Sequence, residues 1–345
     1  MRKFYILLTF ILTSLQSFSQ SVLFVDDSGD QFSNSEILAS TLDSLGTEYY
    51  YYDAYGLNQA PLYEEMLEFD VVLWHTSTWG VGLHLWNKDK TINPELVKYL
   101  DDPKSKFWLI GNDFMYDKYS LPVVDFTEGD FALDYLGISQ YKAQSYANDG
   151  NVGVESVVPT NATPINVETL TWSVGNLWYG DAFNVAEAVT PVYSMRGNDT
   201  YPLNGEITGH LFPNPDKGTV LVYGFDLSLA ENFDMMKENV REVLRYFNGL
   251  SNTRKNQSLA VDISVYPNPT NGPLNINITS AYEIDAKVEL YNLQHIKIAD
   301  LSEHVKLSKE TWNTSYDMSA LPQGYYYVRV SSKNATRIYG FINIK

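Results

Sequence analysis

The sequence contains no cysteine, and that absence removes several chemistries at once. Disulfides, thiolate nucleophiles, cysteine-bound zinc and a lipid anchor on a cleavage-site cysteine are all excluded. Basic residues are also scarce. Against 42 Asp and Glu stand 24 Lys and Arg, giving a formal charge of −18 and a sequence pI near 4.6. So acidic a surface repels phosphate backbones and argues against nucleic acid as a partner. Beyond the first twenty residues, no run approaches the ~20 consecutive apolar residues that a membrane-spanning helix needs.

What is present supports a folded, exported chain. Of 345 residues, 44% are hydrophobic and 14% aromatic, with 26 Tyr and 7 Trp. That is enough for packed cores, and the length suits two domains. At the start, Arg2 and Lys3 precede an apolar run from Phe4 to Leu15, and Ser17-Phe18-Ser19-Gln20 gives a small-polar exit. This is the pattern of a signal peptide over residues 1–20, cleaved near Ser19 to Ser21, and too short for a membrane anchor.

From Ser21 to about Leu250 the chain alternates strand and helix signals. Short apolar runs, Val22–Val25, Tyr49–Tyr52, Val71–His75, Phe107–Ile110 and Val220–Phe225, are separated by helical patterns. Ser33 and Glu36 have capping-box spacing ahead of a face made by Ile37, Leu38, Leu42 and Leu45, with Gly46 as the stop. Pro61 can open a short helix through Leu67, and Asn93-Pro94 pairs a cap with a first-turn proline. Phe233, Met236, Val240, Val243, Leu244 and Phe247 form one stripe before Gly249. Near-continuous apolar strands separated by helices predict a mostly parallel sheet covered on both faces. Residues 141–216, rich in Asn, Thr, Gly and Pro, read as a β-rich insertion.

Ser251 to Ser258 is polar with no large apolar group, and residues 251–260 read as a linker. From residue 261 onward the periodicity becomes two: Leu274, Ile276 and Ile278 alternate with polar neighbours, as do Val288 and Leu290. This predicts a small all-β sandwich over 261–345.

Taken as physics alone, Tyr266-Pro267-Asn268-Pro269-Thr270-Asn271-Gly272 is a rigid turn before a strand, and Leu321-Pro322-Gln323-Gly324-Tyr325 is a second. In sequence the pieces read "VYPNPTNGPLNI", "VELYNLQ", "DMSALPQGYYYVRV" and "GFINIK". In this order they resemble the type A C-terminal sorting domain of the type IX secretion system, over Val261 to Lys345. The resemblance implies export across both membranes of a Bacteroidetes-type bacterium, with the secretion machinery as partner and removal of the tag afterwards. Release, or attachment to a surface lipopolysaccharide, would follow. The tail is only lightly basic, with Arg337 and Lys345, which bears on attachment more than on recognition.

The first domain carries "VLFVDDSGD", "FDVVLWHTS", "FWLIGNDFMYD" and "GTVLVYGFDLSLAENF". These strand ends resemble the class I glutamine amidotransferase-like superfamily in its extracellular form. The resemblance implies an open flavodoxin-like sheet with a nucleophile elbow after the fourth strand. Here that elbow reads Gly111-Asn112-Asp113-Phe114-Met115, with neither thiol nor hydroxyl, and Gly224-Phe225-Asp226 lacks the expected histidine. The inherited chemistry is therefore absent, and the expectation leans toward a non-catalytic binding module.

Ligands of open parallel sheets sit outside the carboxyl ends of the strands. The groups there are Asp26, Asp27, His75, Asn112, Asp113 and Asp226. Two readings stand: each caps the following segment, or together they bind a ligand or divalent cation. The second reading admits a divergent, metal-assisted hydrolase as an alternative; no dedicated cofactor motif is present. Among the tryptophans, Trp74 and Trp108 are expected in the core, while Trp79, Trp86 and Trp178 are candidates for stacking on a glycan or a protein partner. Ser77 with His75 or His84 is a weak candidate for hydroxyl catalysis, because no buried Asp is assigned as orienter.

Overall fold

The computed structural model describes residues 20–29, 32–77, 80–87, 89–249, 261–280, 283–292, 296–332 and 335–344. The expected leader, but for Gln20, and the expected linker 251–260 lie outside the described residues. Contacts divide the chain into two compact units, with the boundary between Leu250 and Ser251.

In the first unit, five strands pair in parallel: β1 (Ser21–Asp26), β2 (Glu48–Asp53), β3 (Val71–Ser77), β4 (Lys106–Gly111) and the later β12 (Thr219–Tyr223), in the order β2-β1-β3-β4-β12. Between them run β5 (Val124–Asp125), β6 (Ile138–Gln144), β7 (Ser156–Pro159), β8 (Leu170–Thr171), β9 (Asp181–Val185), β10 (Thr190–Arg196) and β11 (Ile207–Pro213). These seven join the same sheet through antiparallel pairs. The sheet is thus mixed, with twelve strands, and the expectation of a mostly parallel one is corrected. The physical reason is connection length: the inserted strands follow one another through loops, which favour antiparallel neighbours, whereas parallel pairs need helical crossovers.

Alternate residues of each parallel strand feed two cores. Val22, Phe24, Leu73, Trp108 and Ile110 pack with helices α1 (Asn34–Leu45) and α7 (Phe233–Gly249) on one face. Leu23, Val25, Val72, Trp74, Phe107 and Leu109 pack on the other, against α4 (Pro94–Leu100) and its neighbours. Among those neighbours are α2 (Ala54–Leu57), α3 (Tyr63–Met66), α5 (Phe114–Tyr119) and α6 (Phe131–Asp134). Coverage of both faces explains why these strands read as unbroken apolar runs.

Local rules account for several helix ends. Asn93 Oδ1 accepts from the Glu95 and Leu96 amides at 3.0 and 3.4 Å, with Pro94 in the first turn as expected. On α7, Met236, Val240, Val243, Leu244 and Phe247 are buried, each contributing roughly 1.5–3 kcal/mol. Phe233, at the head of the stripe, is 41% exposed. The capping box expected at α1 does not form: Ser33 is left-handed at φ 56° and its side chain makes no capping bond. Leu38 and Leu42 are buried there, but Ile37 is 40% exposed and off the apolar face.

In the second unit, β13 (Val261–Tyr266), β14 (Pro273–Ser280) and β17 (Trp312–Asp317) form one sheet, in that order. The other has the order β16 (Lys297–Leu307), β15 (Ile284–Asn292), β18 (Gly324–Ser332) and β19 (Ala335–Asn343). Leu274, Ile276 and Ile278 from the first sheet and Val288, Leu290, Val328 and Val330 from the second share one core. The period of two places these residues inward.

Candidate functional site

The carboxyl ends of the parallel strands hold a buried polar network. Asp26 and Asp27 leave β1, His75 and Ser77 close β3, Asn112 and Asp113 follow β4, and Asp226 lies three residues beyond β12. All seven are buried, His75, Asn112 and Asp226 completely.

Asp226 is the hub. Its Oδ1 accepts from His75 Nε2 at 3.0 Å and from the amide and hydroxyl of Ser228 at 2.9 and 2.6 Å. Its Oδ2 accepts from Asn34 Nδ2 at 2.8 Å and from Ser77 Oγ at 3.3 Å. Its own amide donates to Asn112 Oδ1 at 2.8 Å. On the far side of the imidazole, His75 Nδ1 lies 2.9 Å from Ser35 Oγ, which donates to Asp26 Oδ1 at 2.7 Å. Ser28 and Tyr51 also donate to Asp26. The imidazole is thus held at both nitrogens, by Asp226 on one side and by Ser35, bridging to Asp26, on the other.

Sequence reasoning missed Asn34 and Ser35, which occupy the first turn of α1. They point into the network rather than capping the helix. Their signal was the polar run Ser33-Asn34-Ser35 in the first strand-to-helix connection, where an open parallel sheet gathers its polar groups. It also missed that His75 has a buried orienter, Asp226. The Ser35–His75–Asp226 series has the order of a hydrolytic triad. Ser35, however, is 0% exposed and already bonded to Asp26, so its oxygen meets no substrate.

Asp27 turns to the other face. It accepts from Trp74 Nε1 at 3.0 Å, from the His84 and Leu85 amides at 2.9 and 2.8 Å, and pairs with His84 Nδ1 at 2.8 Å. Burial raises its carboxyl above the usual range, against the opposing pull of His84 and Trp74.

Asp113 stands apart from the Asp226 hub. It takes the elbow position in the left-handed region, φ 60° and ψ 0°, immediately before α5. Gly80 packs so close to this turn that a Cβ there would lie 2.3 Å from the Asn112 carbonyl. Gln144 Nε2 donates to Asp113 Oδ1 and to Asp181 Oδ1, at 2.5 and 3.3 Å. Burial pushes the Asp113 carboxyl up to about 7. Asp181 is fully buried, and its burial together with the charge of Asp113 holds it well above the usual carboxylate range. Among the described residues, no group of three or more His, Asp or Glu is arranged to hold a metal ion.

The aromatic candidates separate. Trp74 and Trp108 are core residues, as expected, at 0% exposure. Trp86 is corrected: at 2% exposure it packs edge-on against Phe131 and Tyr119, beneath the Lys118 ammonium. An aromatic ring flanked by Ile92 and Phe131 gains more from burial than from solvent. Trp79 lies outside the described residues. Trp178 is 49% exposed, and its carbonyl accepts from Asn112 Nδ2 at 3.0 Å.

In the second unit, the turns singled out in the sequence meet at the last strand. Thr270 N donates to the Ile342 carbonyl and Ile344 N to that of Thr270, both at 2.8 Å, while Asn268 Oδ1 accepts from Ile342 N at 3.0 Å. Buried Asn343 directs its Nδ2 at the carbonyls of Met318, Leu321 and Pro322, 3.0–3.4 Å away. Gly272 and Gly324, at φ 142° and 153°, supply backbone that other residues rarely adopt. Tyr325 pairs with Ile342 in the β18–β19 ladder. Residues 264–344 match the secretion system C-terminal sorting domain family. The sorting domain directs the chain to the secretion machinery, and so to the cell surface or extracellular space. No helix among the described residues is long and apolar enough to cross a membrane.

No curated protein matches the chain. Among solved structures, the alpha-L-fucosidase isoenzyme 2 of Paenibacillus thiaminolyticus is 10% identical, with a TM-score of 0.37 over 94% of this chain and 48% of that one. Dimeric latent PorU from Porphyromonas gingivalis is 12% identical, with a TM-score of 0.21 over 58% and 17%. The sulfur carrier protein SoxY from Chlorobium limicola is 11% identical, with a TM-score of 0.20 over 26% and 76%. At these scores none of the three bears on the fold or the site.

Proposed function

We propose that the chain is an exported, non-catalytic binding module built on a flavodoxin-like, glutamine amidotransferase-like sheet. One observation carries the non-catalytic part. The groups at the carboxyl edge are spent on one another: Asp226 accepts five bonds from within the protein, and Asp26 and Asp27 serve loop amides and neighbouring hydroxyls. The elbow bears Asp113, whose carboxylate would need an activated electrophile and a shaped site to act as nucleophile. The parallel order β2-β1-β3-β4-β12 and the left-handed elbow after β4 support the kinship in fold. With its edge closed, the module's binding surface is sought on the insertion.

The test is hydrolytic. Purified full-length protein is assayed on ester, peptide and glycoside panels, with and without calcium, magnesium or zinc. No turnover is expected. Activity that disappears in Asp113→Asn or His75→Ala would overturn the proposal, and dependence on a cation would favour the metal-assisted hydrolase instead.

A further inference from the structure

The insertion carries an aromatic shelf beside the carboxyl edge. Two loops build it, residues 145–153 after β6 and residues 176–180 before β9. Tyr146 and Trp178 are in tilted contact with ring centroids 4.4 Å apart at 34°, and Tyr179 meets Tyr146 edge-on at 5.6 Å. Trp178 is 49% exposed and Val152 beside it 40%.

The loops are fastened rather than loose. Ser145 N donates to the Gly180 carbonyl and Gly180 N to Ser145 Oγ, both at 2.9 Å. Ser145 Oγ donates in turn to the Leu177 carbonyl at 3.1 Å. Buried Asp149 accepts from the amides of Val152 and Gly153 and from the Tyr201 hydroxyl, each at 2.9 Å. Asn176 Nδ2 ties the second loop to the Val152 carbonyl at 3.1 Å.

Three residues of the shelf, Tyr146, Asn151 and Tyr179, lie in the left-handed region, at φ 65°, 65° and 62°. Bulky aromatic residues there cost of order 1–3 kcal/mol each, and such strain collects where a side chain must be presented in one orientation. A large apolar ring left half in water adds to that cost. Core packing does not account for it, because Trp178 is half in water, both tyrosines are only half-buried, and the core of the insertion is filled by Leu177 and Val154.

We infer that this shelf binds the flat face of an uncharged polysaccharide. The inference rests on the binding-module reading above. An aromatic face carries negative quadrupole charge and attracts the polarised C–H bonds on the apolar face of a pyranose ring. The same two loops carry exposed Asn148 and Asn151 and half-buried Asn176, whose amides hold capacity to pair with sugar hydroxyls beyond the bonds Asn148 Oδ1 accepts from Gln144 N and Asn176 Nδ2 donates to Val152. The formal charge of −18 selects against uronate, sulfate or phosphate polymers. Export places the shelf where extracellular polysaccharide is met.

Affinity electrophoresis of the full chain in gels containing laminarin, xyloglucan, mannan or arabinoxylan tests this, with alginate as the acidic comparison. Retardation by at least one uncharged polymer is expected, with none by alginate. Trp178→Ala should weaken binding about tenfold or more and Trp178→Phe much less, at unchanged melting temperature. Three results would each overturn the inference: no uncharged polymer binds, alginate binds as well, or Trp178→Ala binds like the parent. Silence on every polysaccharide leaves the non-catalytic reading standing. Release of sugar from a bound polymer sinks that reading and keeps the shelf as a substrate subsite.

Discussion

Two aspartates at the same sheet edge sit in different surroundings, Asp226 among donors and Asp113 with one. Asp226 accepts at least five hydrogen bonds, so its loss removes a shared acceptor from His75, Asn34, Ser77 and Ser228 together. Asp226→Ala should therefore lower stability by about 3–5 kcal/mol, read as a fall in the urea midpoint at constant slope. A change under 1 kcal/mol would mean that the network is not what holds the edge. Asp113 is a carboxyl whose burial favours the neutral form. Its folded-state value near 7 lies above the ordinary 3.8, so the native protein holds the proton more tightly than the unfolded chain. The stability this confers is complete below about pH 4 and is lost as pH rises toward 7, by at most about 4 kcal/mol. Asp113→Asn keeps an acceptor for Gln144 and suits a left-handed turn. The variant should lose this part of the pH slope and gain stability at pH 8, measured by urea unfolding at pH 5 and pH 8. An unchanged slope would assign the titration to another group.

At the scale of elements, the joint between β3 and β4 sets the edge. Gly111 sits at φ 145°, and a Cβ there would lie 2.8 and 2.9 Å from the Ser77 carbonyl and amide. Gly111→Ala must displace backbone, and we expect about 2–4 kcal/mol of destabilisation, checked by thermal and urea unfolding. This joint also marks what was legible beforehand. Four of the five parallel strands announced themselves because each is buried on both faces and therefore largely apolar, while the half-buried edge strand β2 showed as a run of tyrosines. The strand ends then followed, and with them Asp26, Asp27, His75, Asn112, Asp113 and Asp226. What escaped was how they pair. Ser35 reaches His75 across forty residues and Asn34 reaches Asp226 across 192, contacts fixed by packing of α1 over the sheet and by no local pattern. Trp86 escaped for the same reason: its loop sequence looks exposed, but Phe131 from a distant helix covers it. Tyr146 and Tyr179 carry no sequence mark of their left-handed backbone, so the shelf was visible only through Trp178.

At the scale of the whole chain, the sorting domain is a fold whose signals are scattered through its sequence and joined in space. The turn at Tyr266–Gly272, the turn before β18 and the last strand meet through Asn343 and the Thr270–Ile342 pair. If the machinery reads the assembled joint rather than a linear word, loosening the joint should impair export even with both turn motifs, Tyr266–Gly272 and Leu321–Tyr325, intact. Asn343→Ala removes a buried donor from three carbonyls and should cost the sorting domain about 1–3 kcal/mol. Hydrogen exchange across residues 266–272 and 318–344 would register that loss. Protease shaving of intact cells should then find less of this variant at the surface than of the parent, and none of a chain lacking residues 264–345. Equal surface amounts for Asn343→Ala, despite faster exchange, would mean that the motifs are read as extended sequence. A truncated chain that still reached the surface would remove the tail as the address altogether.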